Sequence, residues 1–161
     1  MNIFVLDRNI AKCVQYYADK HVIKMILESA QLLSTAVRIS GVDSGYKTTH
    51  KNHPCSIWAR ESLDNWRWLR ELVFELHNEY QFRYGKEKVH KSFLVVQNLL
   101  EPRIESIGLT EFAQAMPEQY KNVDVVTAYR NYYKFEKRHL FKWTNRKPPY
   151  WIKNVHRRRK T

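Results

Sequence analysis

The sequence predicts an all-α fold: a compact single-domain helical bundle with a short N-terminal extended segment. Three observations carry this. Apolar residues recur at helical spacing through most of the chain, as in "VIKMILESAQLLSTAV" from Val22 to Val37. Four glycines and five prolines in 161 residues leave few breaks between such stretches. Hydrophobic residues make up 43% of the chain and aromatics 14%, enough to bury one sizeable core.

The elements follow in order. "IFV" (Ile3 to Val5) is a short apolar lead-in and a candidate strand. Asp7 is placed to cap a short helix running to about Ala18. Asp19 is placed to cap the next, which runs to about Ser40 and stops at Gly41. "GVDSGYKTTHKNHP" reads as a loop from its Gly, Ser, Asp and Pro. Pro54 suits the first turn of a long helix ending near Gly85, with Trp66, Leu69, Val73, Leu76 and Tyr80 as its core stripe. A further helix covers about Val89 to Ile104. "TEFAQAMPEQYKNVD" is a loop or a short helix broken at Pro117. Asp124 caps a last long helix to about Lys142, and residues 142–161 form a basic, aromatic tail. No internal repeat or low-complexity linker divides the chain, so residues 1–161 are expected to form one domain.

Formal net charge is +12, from 28 Lys and Arg against 16 Asp and Glu. Such an excess in a small domain points to a polyanionic partner, of which nucleic acid is the commonest. A solubility feature or an acidic protein partner would give the same excess. No apolar run approaches the roughly 20 residues that span a bilayer. "MNIFVLDRN" is too short and wrongly flanked for a signal peptide. The expectation is a cytoplasmic monomer without membrane association. Cys13 and Cys55 suit a reducing compartment and make no disulfide framework.

Chemistry-bearing residues cluster in three places. On a helical wheel Val22, Ile23, Met25, Ile26, Ala30, Leu33 and Val37 cover more than half the circumference, so their helix is expected to be buried on most sides. The narrow stripe left over carries His21, Lys24, Glu28, Gln31 and Thr35. It opens either to water, with an ordinary Lys24–Glu28 pair one turn apart, or into a cleft. In a cleft, Glu28 is a carboxylate near a reacting centre, with His21 and Lys24 as phosphate or base contacts.

"HKNHPC" sets His50, Lys51, Asn52, His53 and Cys55 ahead of a helix. Zinc would need a fourth ligand, and no second pair stands at metal spacing, so neither a metal nor another cofactor is expected. Cys55, at a helix start, is an activated thiol or, more commonly, a small buried residue. His53 is expected beside helical N–H groups that could hold a phosphate. "KWTNRKPPYWIKNVHRRRK" interleaves Trp143, Tyr150 and Trp151 with eight Lys or Arg residues. Bases can stack on such aromatics while the cations hold phosphates. The alternative is a packed aromatic end to the core with a loose basic tail. The expectation takes part of each: aromatics that pack, and cations that rim a nucleic-acid surface. The expected nucleic-acid contacts are Lys24, Gln31, His50, Lys51, Asn52, His53, Arg60, Lys142, Arg146, Lys147, Trp151 and Lys153.

These stretches resemble the pyrimidine-dimer DNA glycosylases. "ADKHVIKMILESAQ" resembles that family's first helix, with its Ala-Asp-x-His start and a later Glu, which fall on His21 and Glu28. "KNHPCSIWARESLDNWRWLRELVFELHNEYQFRYG" is similar to its Gly-His loop and long central helix, with the His on His53. "MPEQYKNVDVVTAYRNYYKFEKRHLFKWTNRKPPYWIK" is similar to its C-terminal third. A nearer resemblance is to a group of phage proteins beginning "MNIFVLD" with a "CDKHVVKM"-like helix. The lead-in before His21 is several residues longer than the family's, and the arginines flanking the family glutamate fall here on Leu27 and Gln31.

The resemblance implies a concrete chemistry. A nucleotide flips out of the duplex and the chain's own α-amine attacks the sugar C1′. An imine forms, the base leaves, and β-elimination nicks the strand. Here that implies Met1 as nucleophile, Glu28 as the assisting carboxylate and His21 beside them. Free α-amines titrate at about 7.7–8.0, so a useful fraction is neutral near pH 7. A carboxylate stabilises a cationic sugar. Two other readings stay open: a phage DNA base-modification transferase joining an amine or amino acid to an activated thymine-type base, and a non-catalytic nucleic-acid-binding module. The distance from the α-amine to the Glu28 carboxylate discriminates between the enzyme readings.

With about 5–7 phosphates neutralised, duplex affinity is expected to fall with salt on a log–log slope of roughly −4.5 to −6. Fluorescence anisotropy against salt concentration reads that slope. No binding at low salt, or a flat dependence, contradicts the nucleic-acid reading.

Overall fold

A computed structural model describes residues 1–152. Among them are six α-helices and no strand: α1 (Ile10–Tyr16), α2 (Asp19–Ile39), α3 (Pro54–Glu61), α4 (Leu63–Tyr84), α5 (Lys91–Gln97) and α6 (Val125–Glu136). Single 3₁₀ turns lie at Glu118–Tyr120, Arg138–Leu140 and Tyr150–Ile152. The fold is all-α, as the helical spacing predicts. Helix α2 is central, packed against α3, α4 and α5, while α1 packs on α4. Val22, Ile26, Ala30, Leu33 and Val37 are fully buried on it. Ile23, expected in the buried arc, is exposed, whereas past Glu28 the helix is buried nearly all round, Ser29, Leu32, Ser34, Thr35 and Ala36 included.

Element ends differ where a nearby side chain outcompetes the expected cap. Asn9, not Asp7, caps α1, its Oδ1 accepting from Lys12 N at 3.0 Å. Asp7 instead accepts from Asn9 N and shapes the turn before the helix. Asp19 is the first residue of α2 rather than its cap, and Ala18 in the cap position offers no side-chain bond. The expected long helix breaks at Ser62, whose extended backbone ends α3 and whose hydroxyl caps α4 by accepting from Asp64 N. The returning loop uses that break: Leu63 N donates to Glu105 O, and Thr110 N to Asn65 Oδ1. Helix α5 stops at Gln97, short of Ile104, before the chain turns through Pro102. Asp124 caps α6 as expected, but the helix ends at Glu136 rather than Lys142. After α2 the loop folds back tightly at Gly45, where a Cβ would collide with Ser34 and Leu99.

Residues 2–6 run through the core as neither helix nor strand, all of them buried, with a tight turn where Leu6 N donates to Phe4 O. With no neighbouring strand, their peptide groups are satisfied by side chains and local turns. The Cys13 thiol and the Tyr17 hydroxyl both donate to Phe4 O. Leu6 N reaches Cys13 Sγ at 3.4 Å, and Arg130 Nε donates to Leu6 O at 2.8 Å. Asn2 donates to Ala115 O and accepts from Ile3 N and the Tyr129 hydroxyl.

The second structural knot is a buried charge network. The Arg83 side chain is fully buried and every N–H of its guanidinium finds an acceptor. Nε bonds Glu79 Oε2 at 2.8 Å, Nη1 bonds Asp19 Oδ1 and Tyr17 O, and Nη2 bonds Gln15 O and Val14 O. Asp19 also accepts from the amide and hydroxyl of Thr144. Burial opposes its charge, but these donors and Arg83 hold its pKa below the ordinary value. The network ties the end of α1, the start of α2, the end of α4 and residues 144–146 together. Removing Arg83 takes a buried partner from two buried carboxylates and leaves Asp19 with Thr144 and Glu79 with Arg146, so Arg83→Ala is expected to lose about 3 kcal/mol. Arg83→Lys should recover little of it, since an ammonium cannot meet so many planar acceptors. Urea denaturation checks both; a loss below about 1 kcal/mol would contradict the network's structural role.

Candidate active site

The threaded N-terminal segment delivers the α-amine of Met1 to α2, where it lies 3.2 Å from Glu28 Oε1. The Met1 side chain is 4% exposed although the residue as a whole is only half-buried, so its accessible surface belongs to the backbone end bearing the amine. Glu28 is 12% exposed, and its Oε2 is buried without a hydrogen-bond partner among the described residues. A buried carboxylate oxygen with no donor is costly, which leaves this one receptive to a donor from a ligand.

His21 lies two turns earlier on the same helix face. Its Nδ1 is 2.7 Å from the Tyr133 hydroxyl, and its ring packs on Phe4 with centroids 4.7 Å apart. Burial above all, then the charges of Lys137, Lys24 and His139, pushes its pKa down to about 3. The imidazole is therefore neutral at physiological pH. Met1, Asn2, Phe4, His21, Lys24, Met25, Glu28, Tyr132 and Lys137 line an open cleft of about 100 Å³. A larger groove of about 170 Å³, with Arg8, Phe112 and Val125 in its wall, shares no residue with this cleft and holds neither lysine nor histidine.

The polar stripe on α2 thus divides. His21, Lys24 and Glu28 line the cleft, and Glu28 pairs with the amine rather than with Lys24. Gln31 is half-buried and does not line the cleft. Thr35 is buried and clamps the following loop, exchanging hydrogen bonds with Thr49. His50, Lys51 and Asn52 are exposed on that loop.

His53 stands close to the amine. Burial first, then the Met1 amine and His50, lowers its pKa. The phosphate cradle expected at the start of α3 is not there. Pro54 has no N–H, Cys55 N donates to His53 Nδ1, and Ser56 N donates to His53 O, so the helix start is already satisfied. Cys55 is buried and its thiol is pushed up to about 11, chiefly by burial, which removes the activated-thiol reading.

The other expected contacts lie elsewhere. Arg60 donates to Ser56 on its own helix. Arg146 is committed to Glu79 through Nε at 3.0 Å and Nη2 at 2.9 Å, and lies 3.9 Å over the Phe82 ring. It therefore serves the Arg83 network instead of standing open to a phosphate. Trp151 is buried edge-on against Tyr16, and Trp143, half-buried, packs against the core and donates to Tyr16 O, so the aromatics pack as expected and Trp151 is no stacking platform. Lys142 and Lys147 are exposed. Lys153 lies outside the described residues. Sequence reasoning missed Asn2, Phe4, Tyr132, Tyr133 and Lys137. Only the basic, aromatic composition around α6 hinted at the last three.

A family model described as pyrimidine dimer DNA glycosylase matches residues 1–92, which hold the amine, His21, Glu28 and His53. No curated protein and no solved structure matches the chain.

The buried neutral imidazole makes stability depend on pH. The unfolded chain takes up a proton at His21 near pH 6.5, whereas the folded chain does so only near 3. Between those values the unfolded state binds more protons, so this contribution is complete above 6.5 and lost as pH falls toward 3. At about 1.4 kcal/mol per unit the difference is several kcal/mol. Urea titrations at stepped pH should show a steeper acid loss in the wild type than in His21→Gln; parallel curves would contradict a buried neutral ring.

Proposed function

The chain belongs to the pyrimidine dimer DNA glycosylase family, and on that premise we propose a DNA glycosylase with lyase action whose nucleophile is the Met1 α-amine and whose carboxylate is Glu28. One observation carries the reading: the amine is held 3.2 Å from Glu28 Oε1 in an accessible cleft. At family level the substrate is DNA, and the +12 charge suits a polyanion.

The steps balance on these two groups. The neutral amine's lone pair attacks C1′ of a flipped pyrimidine nucleotide, while Glu28 accepts the proton the nitrogen loses. The C1′–N bond breaks, its electron pair leaves with the base, and the base takes up a proton. The nitrogen lone pair then forms the C=N bond as the C1′–O4′ bond breaks, and O4′ takes up a proton from solvent. A protonated imine now joins C1′ to the Met1 nitrogen, with Glu28 again a carboxylate once its proton has passed to the base. Glu28 then removes a proton from C2′, and the electrons expel the 3′ phosphate. Lys24 and Lys137 supply positive charge at the cleft for the nucleotide's phosphates. A base-modification transferase would not need a chain-terminal amine against its carboxylate, so the geometry favours the lyase.

Borohydride should trap a covalent adduct on abasic duplex DNA, and peptide mapping should place the link at Met1. Acetylating or extending the N-terminus should abolish trapping. Glu28→Gln should cut strand nicking by about a hundredfold or more with folding and DNA affinity nearly intact. An adduct that survives acetylation would move the nucleophile to a lysine, Lys24 first. Absence of any adduct would sink the lyase reading.

A further inference from the structure

Met1 and Glu28 occupy one end of the cleft, and its other end is aromatic. His21 precedes Glu28 by seven residues, about 10 Å along the helix axis. Three residue steps from Met1 to Phe4 can span a similar distance, at up to roughly 3.3 Å per residue. This segment brings Phe4 against His21 just as it brings the amine against Glu28. Tyr132 also lines the cleft, its ring 6.4 Å from that of Phe4, and Lys137 Nζ lies 5.2 Å from the Tyr132 ring. A sugar held between amine and carboxylate would therefore direct its base toward Phe4, Tyr132 and His21.

The hydrogen bonds at that end fix the tautomer of His21. Ala18 N donates to the Tyr133 oxygen at 2.8 Å, so the single hydroxyl proton is free to go to Nδ1 of His21, 2.7 Å away. The ring is neutral, so its one proton sits on Nε2. Nε2 has no hydrogen-bond partner among the described residues and belongs to a ring that lines the cleft.

We propose that the Nε2–H of His21 is the hydrogen-bond donor to a ring carbonyl of the departing pyrimidine, and that Tyr133 is the positioning residue that holds it in that tautomer. This rests on the lyase reading. When the C1′–N bond breaks, its electron pair spreads from the base nitrogen onto the carbonyl oxygens. A fixed donor aimed at such an oxygen lowers the barrier without reorganising. His21 keeps its proton throughout, and the proton that neutralises the base is the one lost by the amine, passed through Glu28 or solvent. Tyr133 comes from α6, outside the residues matched to the family.

The role predicts a split between two substrates: a duplex bearing a thymine cyclobutane dimer, and the same duplex with an abasic site. The donor matters only while a base is leaving. Tyr133→Phe and His21→Leu should slow release of the base from its own sugar, read as scission of the dimer's 5′ glycosidic bond by the thymine freed on photoreversal, by about tenfold or more. Single-turnover nicking of the abasic duplex by Tyr133→Phe should stay within about threefold of wild type, because no base leaves there. His21→Gln should recover most of the base release, since its amide N–H falls near the place of Nε2–H. Equal losses by Tyr133→Phe on both substrates, no loss by either variant on the dimer, Gln as poor as Leu, or a wild type that nicks abasic DNA yet leaves the dimer's glycosidic bonds intact would each overturn the proposal. A wild type that forms no borohydride adduct with abasic DNA fails the lyase reading itself, which separates the two failures.

Discussion

A buried segment that is neither helix nor strand must find a partner for its peptide groups among side chains and turns, and that requirement governs the site of this protein. Residues 2–6 meet it by threading between helices, where the Cys13 thiol, the Tyr17 hydroxyl and the Arg130 guanidinium stand in for a neighbouring strand. Asn2 is the last anchor before the terminus. Its side chain is bonded to Ala115 and Tyr129, from the returning loop and α6. The amine one residue earlier can then reach Glu28 Oε1 and stay there. The lead-in before α2 passes through the core and still leaves the amine 3.2 Å from the glutamate.

The same logic explains why the C-terminal half belongs to the site. The family match covers residues 1–92, which include the amine, His21 and Glu28. Yet Tyr133 bonds both Ala18 and His21, and Tyr132 and Lys137 close the cleft. The start of α2 is held from two sides, by Tyr133 above and by the Arg83–Asp19–Thr144 knot below. Both knots are buried polar networks, in which losing one member leaves the others uncompensated. Rigidity at the start of α2 is what fixes the orientation of His21 two residues in.

Charge partners show how local and global signals part. A Lys24–Glu28 pair at four-residue spacing is the ordinary expectation, and the spacing is correct for it. The terminal amine reaches Glu28 instead, since the threaded segment places it there already desolvated on its side-chain face. Arg146 looks like a tail cation, but Glu79 lies buried opposite it and needs a second donor beside Arg83. Trp151, a base contact by its place in the basic tail, is instead buried edge-on against Tyr16, and Trp143 is tied to the Tyr16 carbonyl.

The sequence by itself determined the elements whose signals are short-range. The apolar period and Gly41 set the extent of α2, Pro54 marks the start of α3, and Asp124 caps α6. It also singled out His21 and Glu28 as members of one helix face, because helical periodicity is local geometry. Tertiary structure alone decided the rest. The break at Ser62 depends on a loop from residues 105–110 docking there. Asp19 gives up its capping role for Arg83 and Thr144, which lie more than sixty residues away in the chain. The cleft needs Met1, α2 and α6 side by side, and no period in the sequence records which distant groups will meet. Partner choice for a charge or a buried polar atom is settled by desolvation and proximity, and both exist only once the chain has folded.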